Sequence, residues 1–320
     1  MATGGEIFLS FVFTVFILSD LVGNILIILT VHRSTSMQTP MNYLITNVAI
    51  TDIVIAIFAF PRHAINHAFT HPVGEAGKFL CKFITGGGFI WVSNTTCGVL
   101  LMTIASERFL AVVFPLKRNL RITIRKIKYL VPLFWLYGLA VTTPTIWVQE
   151  YYAERDFCVE NFPNNTSPTA YVGFIFTINC IIPILTLSFL YTCIVTTLWR
   201  KGKTAVDASQ AARYKARKKV TRMLLAVTGL HIVCWVPNYV TYLMVHVAPE
   251  VTPVYGSVWY NITVLLILFN SAANPFCYCV FMKNFRRGVL GIVCWWRKQE
   301  EIDLSQRGET PYYSVSQTNA

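Results

Sequence analysis

Charge is scarce in this sequence. Lysine, arginine, aspartate and glutamate supply 13% of its 320 residues, where a soluble domain carries about 25%. The scarcity is concentrated: Lys82 and Glu107 bracket a run with no formal charge. No C-x-x-C pair occurs among the nine cysteines, which excludes a zinc ribbon or a thioredoxin-like redox centre. No G-x-S-x-G occurs either, so a serine hydrolase would lack its nucleophile turn. No internal repeat is visible, against the plan of inverted-repeat transporters. No connecting stretch is long enough for a soluble domain. The first apolar run has neither the basic flank nor the small-residue cleavage site of a signal peptide. These absences leave no catalytic constellation, and the chain is not read as an enzyme.

What is present is apolar. Hydrophobic residues make up 54% of the chain and the mean hydropathy is +0.51. Seven runs reach the roughly 20 residues that a membrane-spanning helix needs. They cover about 7–31, 41–69, 81–115, 129–148, 170–199, 223–247 and 254–281. The expected fold is an all-α membrane protein, a seven-helix bundle over 7–283. Residues 1–6 form a short outer tail, and 284–297 a short amphipathic eighth helix on the membrane surface. Residues 298–320 form a disordered cytoplasmic tail whose Ser305, Thr310, Tyr312, Tyr313, Ser314 and Ser316 are open to phosphorylation. Cys294 suits palmitoylation.

The net charge of +12 could suggest nucleic acid, but its distribution does not. After Pro115 come Lys117, Arg118, Arg121, Arg125, Lys126 and Lys128 with no acid between them. Between Arg200 and Arg222 the bases, Lys218 and Lys219 among them, face Asp207 alone. A third basic cluster follows Lys283. Such clusters mark cytoplasmic connections. They place the N-terminus outside and the C-terminus inside, in the plasma membrane, with anionic lipid as a neighbour. The loop after residue 148 is acidic instead, with Glu150, Glu154, Asp156 and Glu160 against Arg155. Asn164 and Asn165 each open a glycosylation sequon there, so that loop lies outside. Cys158 then shares an oxidising side with Cys81, and the two are predicted to be bonded. Cys97, Cys180, Cys193, Cys234, Cys277 and Cys279 read as small buried hydrophobes.

Polar residues inside the spans carry more information, because each is expensive there. Asp20 and Asn24 lie one helical turn apart. Asp52 sits near mid-membrane and reads as a cation or proton site; a transport path through Asp20 and Asp52 is the far weaker alternative. His63, His67 and His71 recur at spacing four, which on a helix would form a stripe able to share zinc or to repel when protonated. A membrane metal hydrolase would need a further ligand cluster at that depth, which is missing, and ordinary pocket-mouth histidines weigh more. Gly86-Gly87-Gly88 interrupts the third span, Pro237 and Pro275 kink the sixth and seventh, and residues 211–222 read as a helical extension of the sixth into the cytoplasm.

In order along the chain stand Gly23-Asn24, Asn47 with Asp52, Cys81 with Cys158, Glu107-Arg108-Phe109 with Pro115, Trp135, Pro183 with Tyr191, Cys234-Trp235-Val236-Pro237, Asn274-Pro275-x-x-Tyr278 and Asn284-Phe285-Arg286. This series resembles the rhodopsin-like (class A) G protein-coupled receptors over almost the whole chain, and their peptide-receptor subgroup most. The resemblance implies that Arg108 is a switch, paired with Glu107 at rest and turned toward Tyr191 and a heterotrimeric G protein when active. Phe109 and Tyr278 belong to the same switch, and Pro115, Leu116, Lys218 and Lys219 would touch the G protein. Arrestin and receptor kinases are implied as further partners. Asn24, Asp52, Asn270, Ser271 and Asn274 would line a sodium and water site, with allosteric Na⁺ at Asp52 and no other cofactor or metal. Trp235 would relay ligand binding to the lower half of span six.

Several residues depart from the family pattern. Cys81 to Arg108 is two residues longer than usual, and the three glycines are the expected place for a bulge. Cys97 stands where the sodium site often has serine. Gly98 and His231 replace two apolar residues that pack with Pro183. Arg217 replaces the acid that holds the switch arginine closed, which suggests some ligand-independent signalling. Ile90 stands where amine receptors carry aspartate, and span seven has no lysine for retinal, so neither an amine nor retinal is expected. The expected pocket residues are Arg62, Trp91, Asn94, Asn179, Trp235, Asn238, Tyr239, Tyr242 and Tyr260. Their rings and amides suit a peptide or small polar ligand, and the acidic outer loop would steer a basic peptide.

Overall fold

The computed structural model describes residues 4–65, 70–152, 157–163, 168–203, 207–248 and 257–294. Seven of its helices are long and apolar enough to cross a membrane. They are α1 (Gly4–Arg33), α2 (Pro40–His63), α3 (Gly74–Val113), α4 (Ile124–Val148), α5 (from Pro168 to Lys203), α6 (Ala208–Val247) and α7 (Val258–Phe281). A shorter helix, α8 (Lys283–Val293), follows α7. Two strands, β1 (Gln149–Tyr152) and β2 (Phe157–Glu160), form an antiparallel hairpin between α4 and α5.

The helices start where short polar side chains take up orphan amides. Thr39 accepts from the Asn42 amide at 3.3 Å just before Pro40, and Thr123 accepts from Lys126 at 3.3 Å. Ser257 accepts from Tyr260 at 3.3 Å, and Asp207 from Gln210 at 2.6 Å. The Gln210 amide and the Ser209 hydroxyl hold the Asp207 carboxyl below its ordinary value. The Ala-, Arg- and Lys-rich run after it propagates helix well, so α6 is continuous through the basic segment.

Burial is inverted relative to a water-soluble bundle. On α1, Phe8, Phe11, Val15, Leu18, Val22 and Ile25 face outward. Its inward face carries Phe13, Ile17, Asp20, Asn24 and Ile27. Apolar exposure with polar groups inside is the pattern lipid demands. Because lipid is as apolar as leucine, packing and polar links rather than water exclusion hold the helices together. Close approach needs small residues. A side chain on Gly23 would place its Cβ 2.8 Å from Pro275 Cγ, and one on Gly138 would lie 2.7 Å from the Val92 carbonyl.

α3 is the central element. It packs on α2, α4, α5 and α6, while α1 closes the ring between α2 and α7. A lower core around Ile45, Leu100, Ile104, Ile194 and Val227 holds the end that carries Arg108. An upper core around Phe13, Ile55, Trp235, Tyr239 and Ile267 lies beneath the hairpin.

The boundaries differ from the sequence reading in ways that matter for the site. α2 stops at His63, with Ala64 as its cap, rather than running to residue 69. His71 therefore lies beyond the helix, and no helical stripe joins it to His63; His67 falls outside the described residues. α3 begins at Gly74, seven residues before the expected start. It winds as a π-helix over Cys81–Thr85, breaks at Gly86 and Gly87, and restarts at Gly88. Gly87 has φ +78°, a conformation that glycine alone adopts without cost. This wide turn absorbs the two surplus residues between Cys81 and Arg108. α4 begins at Ile124 rather than Tyr129, and α8 ends at Val293. The sequons at Asn164 and Asn165, the last residues of the expected surface helix and the expected disordered tail all lie outside the described residues.

Candidate ligand pocket, polar core and switch

Cys81 and Cys158 form a disulfide with Cα atoms 5.6 Å apart. It ties β2 to the top of α3 and so lays the hairpin across the bundle mouth. His71 braces the same corner. Its ring stacks on Tyr151 at 4.0 Å. Its Nδ1 donates to the Pro72 carbonyl at 3.0 Å, which leaves Nε2 to accept from the Thr85 hydroxyl at 3.0 Å. His71 and the two sulfurs lie close enough together to suggest a metal, but sulfurs bonded to each other offer no thiolate.

Under the hairpin is a cavity of about 870 Å³, counting its open mouth. Of the expected pocket residues, Arg62, Trp91, Trp235, Asn238, Tyr242 and Tyr260 line it. Arg62 donates to the Thr85 carbonyl at 2.7 Å and lies 3.4 Å over the Phe157 ring. Trp91 stands at the centre, with ring centroids 6.3 Å from Trp235 and 5.2 Å from Tyr242. Asn238 donates to Thr263 at 3.0 Å.

Three expected residues sit elsewhere. Asn94 donates to the Tyr239 hydroxyl in the buried layer below the cavity. Asn179 and Tyr239 line a second, smaller cavity of about 310 Å³ with Gly98, Pro183 and His231. A Cβ on Gly98 would meet nothing within 4 Å, so positions that the resemblance assigns to a packed switch here enclose space.

Glu160, Gln149 and Phe157 of the hairpin also line the main cavity, and the sequence reading did not name them as pocket residues. The signal for Glu160 was available. It stands two residues after Cys158 on one strand, so both point to the same face, and the disulfide turns that face to the bundle.

Halfway down, the polar residues converge. Asn274 donates to Asp52 Oδ2 at 2.8 Å. Asn24 donates to Asp20 Oδ1 at 2.6 Å and to the Ser271 carbonyl at 3.3 Å. Asp20 Oδ2, Asn24 Oδ1, Asp52 Oδ1, Asn270 Oδ1 and Asn274 Oδ1 are buried without a hydrogen-bond donor among the described residues. Such a cluster of spare oxygen acceptors with two carboxyl groups has the donor chemistry that a hard cation and water require.

At the far end, Arg108 Nε lies 2.6 Å from Glu107 Oε2. α6 carries no acid anywhere along its length, so it offers Arg108 no second carboxylate. Instead α5 and α6 are joined by Tyr191 and Thr228, 3.1 Å apart between hydroxyls. Tyr278 is buried over Phe285 of α8, ring centroids 5.6 Å apart. Phe109 packs edge-on to Phe114 at 5.6 Å. Beyond it Pro115 starts a loop whose Leu116 is 93% exposed. Lys218 and Lys219 lie on the basic stretch of α6, and Cys294 is exposed at the end of α8.

The sequence model of the 7 transmembrane receptor (rhodopsin family) matches residues 23–278. The chain is 28% identical to the pyroglutamylated RF-amide peptide receptor of Mus musculus, over 94% of this chain and 73% of that one. It is 28% identical to G-protein coupled receptor 54 of Oreochromis niloticus, over 86% and 76%. It is 26% identical to the substance-P receptor of Rattus norvegicus, over 86% and 68%. Seven apolar helices around a central α3, with the family's motifs in order and a match that covers most of the chain, make this protein a multi-pass membrane protein that belongs to the rhodopsin family of seven-transmembrane receptors.

Proposed function

We propose that this receptor binds an extracellular peptide in the cavity beneath the hairpin and drives nucleotide exchange on a heterotrimeric G protein at its Arg108 end. The observation that carries the reading is the cavity itself. It is large and open, walled by Trp91, Tyr242 and Tyr260, edged by Asn238 and Gln149, and floored by Trp235. Aromatic walls with a few placed amides are the lining that peptides and small polar ligands use. The pyroglutamylated RF-amide peptide receptors among its relatives support the same class.

The disulfide end faces outside in this reading, and the basic end, with the C-terminus, faces the cytoplasm. Lys117, Arg121, Lys218 and Lys219 on one side and Glu150 and Glu160 on the other support that orientation. Trp235 lies two residues before Pro237, which removes one backbone hydrogen bond from α6. A ligand that displaces Trp235 therefore acts where the helix bends most easily. The lower half of α6 then leaves α5, Tyr191 gives up Thr228, and Arg108 leaves Glu107 for the G protein. Pro115, Leu116, Lys218 and Lys219 form the docking rim, which arrestin and receptor kinases share. Moving such an equilibrium from 1:99 to 99:1 takes about 5.5 kcal/mol of differential binding.

Sodium at Asp52 would stabilise the resting arrangement through the spare oxygens around it. Replacing choline chloride with sodium chloride is then expected to lower agonist potency, and Asp52→Asn to remove that dependence.

The test of the whole reading is nucleotide exchange on purified G proteins, using membranes that carry this chain and peptide pools as stimulus. Arg108→Ala, matched for surface level, is the control. Exchange above that control supports the reading; equal exchange with and without Arg108 under every pool overturns it.

A further inference from the structure

We propose that Glu160 is the anionic subsite of this pocket and takes a basic side chain of the ligand, a guanidinium in preference to an ammonium. The inference rests on the peptide-receptor reading above. Glu160 closes β2, lines the cavity, and is the one acid among the described lining residues. Its side chain is only 6% exposed. A carboxylate buried to that degree is costly unless a positive charge answers it.

Among the described residues no lysine or arginine pairs with it. The Tyr242 hydroxyl reaches its two oxygens at 2.9 and 3.2 Å, which is one proton for two acceptors. His246 Nε2 is 3.4 Å from Oε2. But His246 Nδ1 faces the Tyr242 carbonyl at 3.1 Å, and a carbonyl only accepts, so the neutral ring keeps its proton on Nδ1. Nε2 then brings a lone pair toward the carboxylate, and the contact is attractive only in the imidazolium form. Arg62, the cation of the same cavity, lies over Phe157 instead.

The site is thus a desolvated carboxylate beside Tyr242, whose ring neighbours that of Trp91, centroids 5.2 Å apart, in the same cavity. A planar guanidinium suits this arrangement better than an ammonium. It can take both carboxylate oxygens at once and lie along an aromatic face. The apolar Ile90 in the same cavity leaves the cation-binding task to the hairpin rather than to α3.

The experiment is G protein exchange driven by end-capped synthetic peptide pools, identical except that one position carries arginine, lysine or citrulline. Capping removes the terminal charges, and citrulline keeps the shape of arginine without its charge. On the wild-type chain the arginine pools should be active, lysine weaker, and citrulline about 100-fold less potent than arginine, the size expected when one member of a buried charge pair is removed. On Glu160→Gln, arginine and citrulline peptides should differ by less than about threefold, because the carboxylate that distinguishes them is gone. Surface labelling checks that Glu160→Gln reaches the membrane, and the wild-type arginine-to-citrulline comparison stands even if it does not. Equal potency of arginine and citrulline peptides on wild type overturns the inference. So does an undiminished citrulline penalty in Glu160→Gln, which would make Glu160 a brace for the hairpin. Silence of every basic pool, with agonist-independent exchange that Arg108→Ala abolishes, overturns this inference and leaves the receptor reading standing. Silence of both removes the receptor reading and the inference with it.

Discussion

The two ends of the bundle are held by different kinds of bond. At the hairpin end a disulfide, the His71–Thr85 hydrogen bond, the Arg62–Thr85 contact and the Glu160–Tyr242 contact join segments far apart in the chain. Each restrains the others, so the pocket is largely built before a ligand arrives. At the Arg108 end the ion pair is between neighbours in sequence, Glu107 and Arg108, and it restrains no second helix. Among the described residues, what joins α5 to α6 there is the Tyr191–Thr228 hydrogen bond and apolar packing. A rigid receiving end and a lightly latched responding end let modest binding energy produce movement. Ligand binding need only outweigh the latch, since an equilibrium shifts by no more than the difference in affinity between states.

That contrast can be broken at its strongest point first. Cys158→Ser opens a bridge between residues 77 apart in sequence, worth up to about 4.5 kcal/mol by loop entropy. The expected outcome is a severe loss of surface receptor and of thermal stability in detergent. Near-normal stability would mean that the polar contacts alone hold the hairpin. Next, Gly87→Ala forces a side chain into the left-handed region at φ +78°, at a cost of about 1–2 kcal/mol. Thermal unfolding should drop accordingly, and peptide potency with it, because Gly87 lines the cavity.

At the other end, Thr228→Val keeps the shape and removes the latch. A buried hydrogen bond is worth about 1 kcal/mol, roughly a fivefold change in population. Agonist-independent exchange should rise several-fold while total receptor stays near normal. An unchanged or lower basal rate would mean that apolar packing, not the hydroxyl pair, keeps α6 in place. The smallest expected effect is at Asp207. Its carboxyl is held below its ordinary value of 3.8 by the Gln210 amide, so its capping contribution is present above that value and is lost as pH falls through the depressed one. Asp207→Ala should speed hydrogen exchange of the first-turn amides at neutral pH only, without changing agonist potency.

Much of this architecture was legible from local pattern. The apolar runs marked the seven spans because lipid demands a continuous stretch. The Ala- and Arg-rich run before Met223 marked the extension of α6, and the placement of Cys81 and Cys158 on one side of the spans marked the bridge. The surplus between Cys81 and Arg108, with three glycines inside it, pointed to the wide turn that α3 makes. The misses have a common cause. His63 and His71 looked like a stripe because spacing predicts a face only while a helix continues, and α2 ends at His63. Asn94 and Tyr239 looked like pocket residues because they face inward, but which inward-facing groups bond each other depends on the depth at which α3 and α6 cross.

Spans, the bridge and the family motifs follow from the chain alone, since each depends on neighbours a few residues away or on the solvent around them. Tertiary packing decided which side chains share a cavity. It hung Glu160 over the bundle beside Tyr242, separated by 82 positions, and brought Asn274 to Asp52 across 222. It also paired Arg108 with its own neighbour Glu107. Such contacts require several helices to settle at one depth and rotation together, and no single stretch of sequence encodes that agreement.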